Sequence, residues 1–218
     1  MAIKIISVPI VLLITISTFG YYLWYKPKVN SIIHKIPVSV NTNTAKVSRE
    51  TLTRLKQKAL LAKCFIQEHK YNSNVCFLID IRLPSGKYRF FVYNLNTDSI
   101  EISGLVSHGS GSIGKSDELI FSNIPNSNCT SLGKYKIGNA YEGKFGLAYK
   151  LYGLDKTNSN AYDRFVVLHA LECVPNNEVA PQPICESLGC PTVSPEFLKQ
   201  VKQYIDNSEK PILLWIYY

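Results

Sequence analysis

The hydrophobic pattern changes character three times along the chain. Residues 5–25 are apolar or uncharged throughout, with Lys4 before the run and Lys26 and Lys28 after it. At about 1.5 Å of rise per residue, such a run spans a bilayer core as a helix. Residues 26–47 are rich in Asn, Thr and Ser, carry Pro27 and Pro37, and read as a tether. Helical periodicity then begins. Ser48 is placed as an N-cap with Glu50 in the first turn, and Leu52, Leu55, Ala59, Ala62 and Ile66 fall on one apolar face that ends near His69.

Beyond that helix the period shortens. Residues 75–81 form an apolar run, Pro84-Ser85-Gly86 a turn, and 88–93 the return strand of a hairpin. A further strand at 99–107 follows the turn 94–98 and ends at His108-Gly109-Ser110-Gly111-Ser112. An irregular stretch runs on to Cys129, and 132–151 alternates turns with short strands. Phe165-Val166-Val167-Leu168 reads as a buried strand ending at His169. Ser194-Pro195-Glu196 opens a second helix, and Pro211 leads into a closing strand at 212–218. The pattern predicts one mainly-β domain over 48–218 with two flanking helices, after a segment at 1–25 and a linker at 26–47.

Composition changes this picture in two places. The chain has 218 residues and a net charge of +8, which points to an anionic partner. Nucleic acid ranks low, because the Lys and Arg residues are dispersed in sequence with no basic cluster interleaved with aromatics. Tyr21, Tyr22, Trp24 and Tyr25 crowd the end of the first apolar run, where an interfacial aromatic belt belongs. The favoured reading is an uncleaved membrane anchor. A cleaved signal peptide is the rival, although Phe19 and the aromatics after Gly20 make a poor cleavage site. A buried core helix is the plain alternative. Both favoured readings place the domain in the cell envelope, facing the periplasm from the inner membrane or exported.

Six cysteines sit at positions 64, 76, 129, 173, 185 and 190. An exported chain can hold disulfides. Cys173–Cys185 is the expected pair, since both lie in the segment joining His169 to Cys190, with Cys64–Cys76 as a second choice. No C-x-x-C pair exists and the four histidines do not cluster, so neither metal nor cofactor is expected.

The sharpest chemical signal is Ser187-Leu188-Gly189-Cys190-Pro191-Thr192. Proline disfavours helix for itself and for Cys190, and Gly189 permits a tight bend. Cys190 is therefore presented on a turn, and His169 lies upstream at a strand end. Together they are the parts of a thiol–imidazole nucleophile, in which the ring takes the thiol proton and holds the thiolate as an ion pair. Taken alone, Cys190 is more often an apolar filler or half of a disulfide, and His169 a satisfied core histidine. The pairing is what raises both.

His169, seventeen residues, then Ser187-Leu188-Gly189-Cys190 resembles the L,D-transpeptidases of bacterial cell walls, also called YkuD-type enzymes. The chain looks closer to the murein L,D-transpeptidase catalytic domain branch. Phe121-Ser122-Asn123-Ile124-Pro125, Ser131-Leu132-Gly133 and Tyr141-Glu142-Gly143-Lys144 carry that likeness with the His108 loop, from about residue 75 to the end. Leu188 departs from the histidine usual in the family, and Ala170-Leu171 from its Gly-Ala. Cys129 stands where a small or polar residue is commoner.

The resemblance implies a YkuD-like β-sandwich and a peptidoglycan partner. It implies that Cys190 attacks the carbonyl between the third and fourth residues of a stem peptide. D-alanine leaves with a proton from His169, and an amine on a neighbouring stem attacks the thioester to give a 3→3 crosslink. Water in its place makes the enzyme a murein peptidase. Leu188, Ala170 and Leu171 also motivate a third reading, a wall-binding relative without catalysis. With leucine at 188, His169 is the remaining base. Pro191 has no N–H, so the expected oxyanion donors are the amides of Gly189 and Cys190. Ser187 is an orienting hydroxyl or a plain turn serine. His108, Ser131, Gly133 and Arg164 are candidates to meet substrate, Arg164 through a stem carboxylate or else as a solvated partner of Asp163.

Overall fold

The computed structural model describes residues 47–114 and 118–218. Ser48 to Tyr218 form one compact unit. The candidate anchor and linker at 1–46 lie outside the described residues, among which no helix is long and apolar enough to cross a membrane.

Helix α1 (Arg49–His69) begins where the cap pattern places it: the Ser48 hydroxyl accepts from the Thr51 amide at 3.1 Å. Its buried stripe is Thr51, Leu55, Ala59, Ala62 and Ile66. Thr51 takes the place expected for Leu52, which is only half-buried. The threonine hydroxyl also bonds the Ser48 hydroxyl at 2.9 Å, so the cap itself turns position 51 inward.

Eight strands follow: β1 (Val75–Asp80), β2 (Phe90–Asn94), β3 (Ser99–Gly104), β4 (Gly133–Gly143), β5 (Gly146–Gly153), β6 (Val167–Ala170), β7 (Thr192–Val193) and β8 (Leu213–Tyr217). Helix α2 (Pro195–Asp206) lies between β7 and β8 in sequence. The mainly-β reading with two helices holds. The strands do not separate into two hydrogen-bonded sheets, however. They form one sheet in the order β3-β2-β1-β8-β4-β5-β6-β7. The last strand is not an edge: β8 sits in the middle, parallel to β1 and antiparallel to β4. Residues 132–151 are not short strands but one long β4–β5 hairpin turning at Gly143–Gly146, with a bulge between Ile137 and Ala140.

Alternation sorts the side chains. Phe77, Ile79, Phe90, Tyr135, Tyr149 and Leu168 belong to the main core on one side of the sheet. Helix α2 seals this side with Phe197, whose ring meets Phe90 edge-on at 5.3 Å. On the other side of β1, Asp80 pairs with Arg54 of α1 at 2.9 Å. The outer face of β4, β5 and β6 therefore remains for chemistry.

Candidate active site

The expected strand at 165–168 begins two residues late, and the reason shapes the site. Residues 161–166 form a tight turn with the hydrogen bonding seen at helix ends, although no helix precedes it. The Val166 amide donates to the Ala161 carbonyl at 2.9 Å, and the Phe165 amide to Tyr162 at 3.0 Å. Phe165 takes the left-handed position, φ 56°, that glycine usually fills. Its ring is 83% exposed rather than buried. A bulky residue held there costs about 1–3 kcal/mol, and such strain is typical of functional positions.

Cys190 sits on the bend predicted for it. Gly189 has φ 112°, and a Cβ there would lie 2.9 Å from the Cys129 carbonyl oxygen. Ser187 staples the turn. Its hydroxyl donates to the Cys190 carbonyl at 2.6 Å and accepts the Gly189 amide at 3.1 Å. The Ser187 amide donates to the His108 carbonyl at 2.9 Å, and the Ser110 amide to the Ser187 carbonyl at 2.8 Å. Of the two expected oxyanion donors, Gly189 is thus already engaged. The Cys190 amide has no partner among the described residues and is the donor left to a developing oxyanion.

His169 and Cys190 line one cleft of about 720 Å³. His169 lies on β6, paired with Ala148 of β5 and Thr192 of β7. Its ring stacks on Phe145, centroids 5.1 Å apart. Nδ1 donates to the Ala170 carbonyl at 2.9 Å. A carbonyl can only accept, so this bond puts the proton on Nδ1 and leaves Nε2 as a free base. The Cys190 sulfur accepts the Val167 amide at 3.4 Å and donates to the Phe165 carbonyl at 3.6 Å. No hydrogen bond joins it to the imidazole.

Burial pushes the Cys190 thiol up, against the opposing pull of the Val167 amide and the Arg164 charge. Burial likewise lowers His169, against the Ala170 bond. Both shifts favour the neutral forms. Such shifts suit a ring that works as a general base during attack better than a preformed thiolate–imidazolium ion pair.

The other candidates divide. Arg164 lines the cleft, but it is not an ion-pair partner of Asp163. Its guanidinium donates to the carbonyls of Ser122 (2.8 Å) and Cys129 (2.6 Å), clamping that loop against the Gly189 bend. His108 is buried outside the cleft. Its Nδ1 accepts from the fully buried Arg89 at 2.9 Å, and burial and that cation hold the ring down at about 4. The His108 ring therefore stays neutral and braces the loop that holds Ser187. Ser131 bonds Tyr135 at 2.7 Å, and Gly133 opens β4 against Asn158. Neither lines the cleft.

Cys173 and Cys185 form the expected disulfide. The Cys64–Cys76 alternative does not form. Cys64 is exposed on α1 and Cys76 is buried in β1, where burial pushes its thiol to about 12. Sequence reasoning missed Phe145 and Phe165 as walls of the cleft and Arg89 as its brace. Phe145 directly follows the Tyr141-Glu142-Gly143-Lys144 motif, and Arg89 is a lone charge inside a run of aromatics. Those were the available signals.

The profile of the L,D-transpeptidase catalytic domain matches residues 46–217. The chain belongs to that family. No curated protein matches it. Among solved structures, Bdellovibrio bacteriovorus Bd1075 is 18% identical with a TM-score of 0.40, covering 67% of this chain and 49% of its own. An L,D-transpeptidase from Xylanimonas cellulosilytica is 11% identical with a TM-score of 0.35, covering 71% and 68%. The chain thus spans about half the length of Bd1075. Within this L,D-transpeptidase catalytic domain, one cleft holds one thiol and one imidazole.

Proposed function

We propose that this chain is an L,D-transpeptidase that joins stem peptides by 3→3 crosslinks through a thioester on Cys190. Shared lining of one cleft by Cys190 and His169, with the free Nε2 on the ring, is the observation that carries this reading. As Sγ attacks the third residue's carbonyl, Nε2 takes the thiol proton. The Cys190 amide faces the oxyanion. The C–N bond to D-alanine breaks, and the imidazolium returns the proton to the departing amine. The acceptor amine then attacks the thioester, its proton passes to Nε2, and Sγ leaves to recover the thiol. Arg164 adds positive charge beside the sulfur. Residues 48–218 are the catalytic domain. Residues 1–25 anchor it in the inner membrane, with 26–47 as the tether, so that it faces the wall from the periplasm.

Muropeptide analysis of cells expressing the chain tests this. The 3→3 dimers should rise with the wild type and not with Cys190→Ala. Equal dimers in both reject the proposal, and tripeptide stems without dimers assign the site to hydrolysis.

A further inference from the structure

The face that carries His169 extends well beyond the cleft. On β4 and β5 the inward positions are Tyr135, Ile137, Tyr149 and Leu151, all buried. The outward positions hold lysines and tyrosines that meet in space, although they are scattered in sequence. Lys136 lies over the Tyr152 ring at 4.7 Å, and Tyr152 stacks on Tyr162 at 5.3 Å with the planes 11° apart. Lys150 lies over Tyr162 at 5.5 Å and over Tyr141 at 5.8 Å. Tyr141 pairs across the hairpin with Ala148, which pairs with His169. The array therefore starts at Lys136 and ends at the wall of the catalytic cleft, which Tyr141 lines.

These lysines rest on rings, not on carboxylates: among the described residues neither Lys136 nor Lys150 is in an ion pair. Exposed cation–π contacts are weak, about 0.5–1 kcal/mol each, so an arriving carboxylate displaces them readily. Tyr162 is 51% exposed although it stacks on Tyr152 and carries Lys150 over its ring, so it is the more open ring of the stacked pair. Flat rings accept the apolar C–H faces of pyranose sugars, and it is the ring faces, not the hydroxyls, that would carry the contact. Alternating cations suit a polymer that carries acids at intervals.

We propose that this outer face of β4–β5 is a track for the glycan strand whose stem peptide enters the cleft. The inference rests on the peptidoglycan reading above, because a stem bound at Cys190 brings its own strand to the cleft mouth. The track continues that site in one direction, and its rings and charges match what hangs there: sugars bearing carboxylate-rich stems. Single-stranded nucleic acid is the rival polymer for rings interleaved with lysines. The family's wall substrate favours the glycan, and the rival becomes an arm of the test.

The purified full chain is titrated with uncrosslinked glycan strands bearing tetrapeptide stems, with free tetrapeptide, and with oligo(dT). Strands should bind about tenfold more tightly than free stems. The Tyr152→Ala/Tyr162→Ala pair should lose that advantage, while Tyr152→Phe/Tyr162→Phe keeps it. Lys136→Gln/Lys150→Gln should remove the salt-sensitive part. All three should turn over free tetrapeptide at the wild-type rate. Equal binding of strands and stems overturns the proposal. So does loss of the advantage in the phenylalanine pair, or oligo(dT) binding as tightly as the strands. Wild-type turnover of free tetrapeptide separates the two claims. Strand binding without turnover sinks the activity and leaves the track standing, and turnover without strand preference does the reverse.

Discussion

Strands β1, β2 and β8 are buried along nearly their whole length, whereas β4, β5 and β6 mix buried residues with half-exposed and exposed ones. One half of the sheet is closed on both sides: α1 lies on one face of β1, and the main core on the other. The other half is covered on one side only. Both-sided burial concentrates apolar area and leaves no surface for a ligand. The open half gives up some of that burial and gains a face on which an imidazole, a thiol and a row of rings can meet substrate. The halves are still coupled. Arg89, buried just before β2, donates to the Val106 and Leu83 carbonyls and to His108, and so supports the turn that presents Cys190.

The largest expected effect lies in the closed half. Phe77→Ala should destabilise the domain by about 3–5 kcal/mol in urea unfolding, with Cys190 acylation per folded molecule unchanged. A matching loss of acylation by fully folded protein would erase the distinction between the halves. A smaller cost, about 1–3 kcal/mol, is expected for Gly189→Ala, because φ 112° and the nearby Cys129 carbonyl leave a Cβ no room. Here the acylation rate should fall severalfold even where the protein is fully folded, since the bend itself presents the sulfur.

The finest effect is one of pH. His169 must be neutral to accept the thiol proton, and burial lowers its affinity for a proton. The acid limb of the acylation rate should therefore have its midpoint below the ordinary histidine value of 6.5. Activity is full above that midpoint and is lost as pH falls through it. A midpoint above 6.5 would instead mark a preformed ion pair, in which the thiolate raises the ring's affinity for a proton.

The two halves were also unequally legible from sequence. The Ser48 cap, the β1–β2 hairpin and the Ser194-Pro195 helix start were all readable, because each depends on neighbours within a few residues. The Cys190 bend was readable for the same reason: Gly189 and Pro191 leave the backbone little choice. The central place of β8 was not, because it depends on pairing with β1 more than a hundred residues away. Phe165 misled for a local reason, since an aromatic beside two valines looks like strand and nothing in its identity announces a left-handed residue. The tyrosine–lysine array was hidden because its members come from β4, β5 and the 161–165 turn. A sequence scan sees dispersed lysines where the fold assembles a row. The burial that raises the Cys190 thiol and lowers His169 is a property of the fold, which residue type alone does not encode.

The most direct test of the account is intact mass and peptide mapping of the full chain after brief exposure to a tetrapeptide stem. The account predicts a thioester adduct on Cys190, formed in the wild type, strongly slowed in His169→Ala and absent in Cys190→Ala. An adduct on Cys64 or Cys129 instead, or one on Cys190 that forms equally fast without His169, would contradict it.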